Sequence, residues 1–253
     1  MRFKKVLLII PGILLSLLIF NASPKKQPTQ EELKKIINAS LKAQGGKKAL
    51  HSIRNFLVLS IVKIYVPQGE FTMERKTYLQ KNPFKIRIEQ SVTIFQSIIG
   101  FDGQKVWLKQ KEKVTDMPLS YIRSFKASAK RENLLIKYTP RYFKIEYAGR
   151  EKIREKECIG IKFTDPEGNE TILYFYLENF LPAKEEYISL EPTTGKMVKN
   201  ESILFDYRLV KKVKMPFRVI AFQDGQKIAE VLVKEIQINL DLKDDLFRKP
   251  PTK

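Results

Sequence analysis

Cysteine and histidine are almost missing from this chain: of 253 residues, Cys158 is the one cysteine and His51 the one histidine. A single cysteine excludes an internal disulfide, so stability has to come from an apolar core. Without a second histidine or a cysteine cluster, a metal site is not expected. A Ser/His/Asp triad would have to use His51, and no nucleophile elbow accompanies it. Neither Gly-rich form of phosphate loop is present. The acid pairs Glu185-Glu186 and Asp244-Asp245 are adjacent in sequence. Neighbours on a strand point to opposite faces, so they do not form a carboxylate dyad there. Catalysis and a bound cofactor are therefore not expected.

Acidic residues are also in short supply. Lys and Arg number 47 against 28 Asp and Glu, a net charge of +19. Such a field attracts anions, among them phospholipid head groups, acidic glycans and nucleic acid. The cations are spread along the chain and often stand beside acids, as in Lys152-Ile153-Arg154-Glu155-Lys156-Glu157. No clustered footprint or nucleic-acid module is visible, so nucleic acid is not an expected partner. A solvated surface and an anionic membrane surface both fit.

What is present begins with Met1-Arg2-Phe3-Lys4-Lys5, followed by an uncharged apolar run from Val6 to Phe20 and a polar stretch from Asn21. That order is the pattern of a secretory signal. As a helix the run would rise roughly 22 Å, short of a hydrocarbon core of about 30 Å. The residues around Ala22 make a poor cleavage site, because Phe20 or Asn21 stands where a small side chain is preferred. Residues 1–22 are thus expected to be a signal peptide or a retained inner-membrane anchor, with the rest working in the periplasm. No cysteine near this segment can carry a lipid.

The remainder reads as one domain over residues 28–250. Thr29-Gln30-Glu31-Glu32 is a capping box, and Leu33, Ile36, Ile37 and Leu41 follow at helical spacing until Gly45-Gly46. A short second helix carries Ala49, Leu50 and Ile53. From Asn55 the period becomes two, as in Phe84-Lys85-Ile86-Arg87-Ile88-Glu89. Gly-containing turns such as Gln68-Gly69, Asp102-Gly103 and Asp224-Gly225 separate the runs. About eleven strands joined by hairpins predict a mainly β, α+β fold with a large antiparallel sheet. A sheet that size curls, splits or closes. One segment interrupts it: after Met117-Pro118, Leu119, Ile122, Phe125 and Ala129 recur at helical spacing. Several strands, including Phe56–Val62 and Thr171–Leu177, are apolar on both faces. Either both faces are covered, or a cavity lies between a curled sheet and its helices.

The order of short motifs resembles the superfamily of outer-membrane lipoprotein-sorting proteins and periplasmic lipoprotein carriers (LolA-like). The matching pieces are Ala43-Gln44-Gly45-Gly46, Phe101-Asp102-Gly103-Gln104-Lys105-Val106-Trp107, Tyr174 to Pro182, Phe205-Asp206-Tyr207-Arg208 with Val213 to Phe217, and Asn239 with Phe247 to Pro250. Two positions depart from the pattern: Glu178 replaces an Asp and Lys212 a Gly. The resemblance implies a half-open, curled antiparallel β-barrel with the N-terminal helices and the inserted helix as lid. It implies binding of lipid acyl chains or lipoproteins, as a monomer, in outer-membrane lipoprotein sorting. Phe56, Val58, Ile86, Ile88, Trp107, Leu119, Ile122, Phe125 and Phe175 are the candidate cavity wall. The rival reading is an envelope interaction or sensor protein that binds a protein partner without lipid.

Overall fold

The computed structural model describes residues 27–92, 95–132 and 134–251; the expected signal or anchor at 1–22 lies outside them. Helices α1 (Gln30–Ala43) and α2 (Lys47–His51) come first. Then follow β1 (Asn55–Val66), β2 (Gly69–Lys81), β3 (Phe84–Val92), β4 (Phe95–Phe101), β5 (Val106–Gln110) and β6 (Lys113–Asp116). Helices α3 (Leu119–Arg131) and α4 (Leu134–Lys137) separate these from β7 (Lys144–Ile153), β8 (Lys156–Thr164), β9 (Glu170–Tyr176) and β10 (Pro182–Leu190). The last strands are β11 (Met197–Val210), β12 (Val213–Gln223) and β13 (Gln226–Ile238).

All belong to one 13-stranded antiparallel sheet in the order β6-β5-β4-β3-β2-β1-β13-β12-β11-β10-β9-β8-β7. The edges β6 and β7 do not pair with each other, so the sheet is curled and open. Thirteen strands replace the expected eleven or so. β6 is short and charged, and the turn before it uses Lys111 at φ 53° where a glycine would signal a turn. The end of β3 and the start of β4 are joined closely, with Val92 opposite Phe95.

The local chemistry of α1 follows its sequence. Thr29 Oγ1 accepts from Glu32 N–H at 3.3 Å, and Glu32 accepts in return from Thr29 N–H at 2.7 Å. The helix stops where Gly45 takes φ 120°. A Cβ there would stand 2.1 Å from the Lys212 carbonyl oxygen, so only glycine lets the helix end touch the β11–β12 hairpin. Leu33, Ile37 and Leu41 then pack with Ile145, Ile161, Phe163 and Phe175 on the sheet's inner face.

The outer face over β3–β6 is closed by the C-terminal segment. Phe247 is fully buried there. Its carbonyl accepts from Trp107 Nε1 at 2.9 Å, the Leu246 carbonyl accepts from Arg87, and Lys85 pairs with Asp244. The Trp107 ring lies flat over Gly100, where a Cβ would come within 2.3 Å of it. Farther along the outer face Cys158 is buried with Tyr174, Tyr176 and Leu181, and burial pushes its thiol up to about 11.

Two measurements check this packing. Phe247→Ala removes a buried ring and is expected to lower unfolding free energy by about 3–5 kcal/mol in urea, at unchanged denaturant slope. Cys158 is expected to resist a disulfide reagent at pH 8 in the native protein and to react completely in denaturant.

Candidate functional site: the inner face of the sheet

Cross-strand neighbours share a face, so the register sorts every side chain of β1–β5. The first inner row runs Phe56, Leu79, Ile86, Phe101, Val106. The second runs Val58, Thr77, Ile88, Ile99, Leu108. A third row is polar throughout: Ser60, Arg75, Gln90, Ser97, Gln110. Beyond it the face turns apolar again at Val62 with Met73 and at Val92 with Phe95. On the other half of the sheet, α1, α2 and α4 pack on the inner face and form the main apolar core.

The inserted helix α3 spans from the β10–β11 turn to the end of β4. Phe125 stacks on Phe101 at 5.6 Å and 29°. At the helix start, Ser120 Oγ donates to the Pro192 carbonyl at 2.9 Å and Tyr121 meets Thr193 at 3.2 Å. At its end, the Arg131 guanidinium sits 3.7 Å from the centre of the Tyr187 ring. Yet no α3 side chain is fully buried, and Leu119 is 59% exposed. The helix is an amphipathic cover held at both ends and loose in between.

Open space surrounds it. A cavity of about 1000 Å³ lies between α2, the end of β2 and the end of α3, lined by Ile53, Lys81, Phe84, Ala129, Ile136 and Leu240 among others. One of about 740 Å³ lies between α3 and the β7–β11 strand ends, with Leu134, Phe143, Phe163 and Ile188 in its wall and Arg123 and Lys126 beside them. A third, of about 410 Å³, reaches Leu173, Glu185, Tyr187 and Leu204. Known small-molecule sites have volumes of about 300–1,000 Å³.

The structure brings Phe56, Val58, Ile86 and Ile88 together on the inner face, with Ile122 and Phe125 half-buried in the cover. Leu119 stands at the cover's exposed start. Phe175 shares the inner face but is fully buried in the core that α1 closes. Trp107 is placed on the opposite face: alternation from Val106 and Leu108 sends it outward, under Phe247. That placement replaces the expected cavity-wall role with a packing role. Sequence reading passed over Ile99 and Leu108, whose run was not resolved into rows, and Arg75, which stands between Glu74 and Lys76 and looks like part of a solvated face.

Glu185 and Glu186 divide as adjacent strand residues must. Glu186 faces outward, where Lys184 and Lys199 ion-pair with it at 2.6 and 3.3 Å and hold its carboxyl below the usual range against the opposing effect of burial. Glu185 faces inward and is half-buried beside the smallest of these cavities. Burial raises its carboxyl above the ordinary 4.5, with Arg131 opposing the rise.

No family model and no curated protein matches the chain. Solved structures do. A LolA superfamily protein from Nitrosomonas europaea superposes with a TM-score of 0.55 at 13% identity, over 85% of this chain and 97% of that one. A DUF1329 family protein from Desulfovibrio piger gives 0.57 at 10% identity, over 85% and 96%. A domain from Vibrio parahaemolyticus described as an outer membrane lipoprotein-sorting protein gives 0.55 at 9% identity, over 85% and 96%. The chain has the LolA-like fold.

Because Glu185 has a raised folded-state pKa, its contribution is fully present below the unfolded value near 4.5 and is lost as pH rises through the folded value. Glu185→Gln is therefore expected to raise Tm at pH 7 and to leave it nearly unchanged at pH 4, as read by thermal melts at both pH values.

Proposed function

We propose that this is an exported, periplasmic protein that shields acyl chains of lipids or lipoproteins against the inner face of its sheet. The observation that carries the reading is the apolar row of Val58, Ile88, Ile99 and Leu108, which stays partly exposed on the inner face beside a cover helix with no fully buried side chain. An ordinary core would leave no such loosely covered apolar surface. Burying a methylene is worth about 0.8 kcal/mol, so a sixteen-carbon chain gains on the order of 10 kcal/mol before the costs of association. No catalytic group is needed for this. A shielded acyl chain suits outer-membrane lipoprotein sorting. The N-terminal leader sets the form of that role: a carrier must be cut free of residues 6–20, whereas a tethered binder keeps them. A second reading, docking of an envelope protein, is favoured by Ile188 and Met197, each 65% exposed.

The test is native mass spectrometry of the full chain purified without detergent from the envelope of an expressing strain, with titration of a fluorescent fatty acid. Bound lipid and saturable uptake are expected. Ile88→Asp is expected to weaken uptake at least tenfold, while Lys113→Gln on an exposed edge leaves it unchanged. A lipid-free protein that ignores the fatty acid overturns the lipid reading and leaves the protein partner.

A further inference from the structure

The polar row across the apolar inner face is built around one cation. In the inward-facing rows from Phe56 to Val62 across β1–β5, Arg75 is the only charged side chain among the described residues. Lys81, one row beyond, has Glu132 at 4.0 Å. Arg75 has no ion pair among the described residues, and burial works against its charge. Among the described residues its side-chain partner is Gln90. With the amide oxygen turned toward Arg75, Gln90 accepts from Nη2 at 2.8 Å and from Nε at 3.0 Å. That braces one edge of the planar fork and leaves Nη1 without a partner among the described residues. Ser60, Ser97 and Gln110 add hydroxyls and an amide along the same row.

A guanidinium stays charged under all ordinary conditions. Half-buried between apolar rows and without a counter-ion, it costs stability that a methionine or leucine would not. Braced by one amide and short of an acid, the fork has the geometry that carboxylates and phosphates bind in bidentate fashion. The apolar rows on either side of it, through Val58 and Val62, are where a chain attached to that anion would lie.

We propose that Arg75, held by Gln90, is the head-group site of the inner face, and that the ligand is an acidic amphiphile: an acyl or alkyl chain ending in a carboxylate or a phosphate. This rests on the acyl-chain reading above and names the ligand class that the reading leaves open.

The test titrates the full chain with laurate, dodecyl phosphate and methyl laurate, three ligands of equal chain length and different heads. It uses the native protein, Arg75→Met and Arg75→Lys. The native protein is expected to bind at least one acid ten or more times tighter than the ester, and the tighter of the two acids identifies the head group. Arg75→Met is expected to lose that preference, to bind the ester within about twofold of the native protein, and to melt no lower. Arg75→Lys keeps part of the preference. Equal binding of acids and ester by the native protein, or a preference that survives in Arg75→Met, overturns this inference alone. Failure of all three ligands to bind overturns the acyl-chain reading and this inference with it.

Discussion

The ladder between β1 and β13 joins two half-sheets that would otherwise be separate. β1 leads the run to β6, and β13 leads back through β12 to β7, so this one antiparallel pair makes a single surface of both halves. Its register runs from Phe56 opposite Ile238 to Ile64 opposite Ala229, with one irregularity at Leu59/Ser60. Two asparagines pin the start of the ladder. Asn55 donates to the Leu240 carbonyl at 2.9 Å and accepts from Leu240 N–H at 2.7 Å. Asn239 accepts from Arg54 N–H at 2.8 Å and donates to the Ser52 carbonyl at 3.0 Å. A slip of one residue here would turn every apolar row outward.

The short motifs that resemble those of lipoprotein-sorting proteins are joints of this frame. Gly45 lets α1 touch the β11–β12 hairpin. The Asp102 carboxylate accepts from Gln104 and Lys105 N–H at 2.8 Å each and shapes the turn that delivers Trp107 onto Gly100. Tyr207 donates to the Pro182 carbonyl at 2.9 Å, so two of the motifs are in contact with each other. Such joints preserve a fold without specifying a ligand.

Charge is distributed by the same alternation. Outward positions carry interlocked ion pairs, of which Lys184, Glu186, Lys199 and Glu201 form the densest. Lys184 and Glu186 are both buried, and each is satisfied by the other and by its neighbours. Inward positions are apolar or neutral over most of β1–β5, so the Arg75 guanidinium, with no ion pair among the described residues, stands out in a low-dielectric wall. The outer cluster stabilises a face that needs nothing further. The inner cation is left short of an anion.

The sequence by itself determined what depends on neighbours in the chain. The capping box at Thr29, the stop at Gly45, the two-residue period of β3 and the helical spacing of Leu119, Ile122 and Phe125 are local, and each appears in the structure where it was legible. Turns made by lysine or by Arg154-Glu155 at positive φ gave no such signal, and with them went β6 and the start of β8. The tertiary structure alone decided which face each strand presents and to what. Trp107 and Leu108 are adjacent and equally apolar, yet one is sealed under Phe247 and the other faces inward. Phe175 and Ile88 share the inner face, yet only Phe175 is closed over by α1. Arg75 became distinct from its charged neighbours only once the ladders fixed its row. Alternation states that two faces exist; pairing partners far along the chain choose between them.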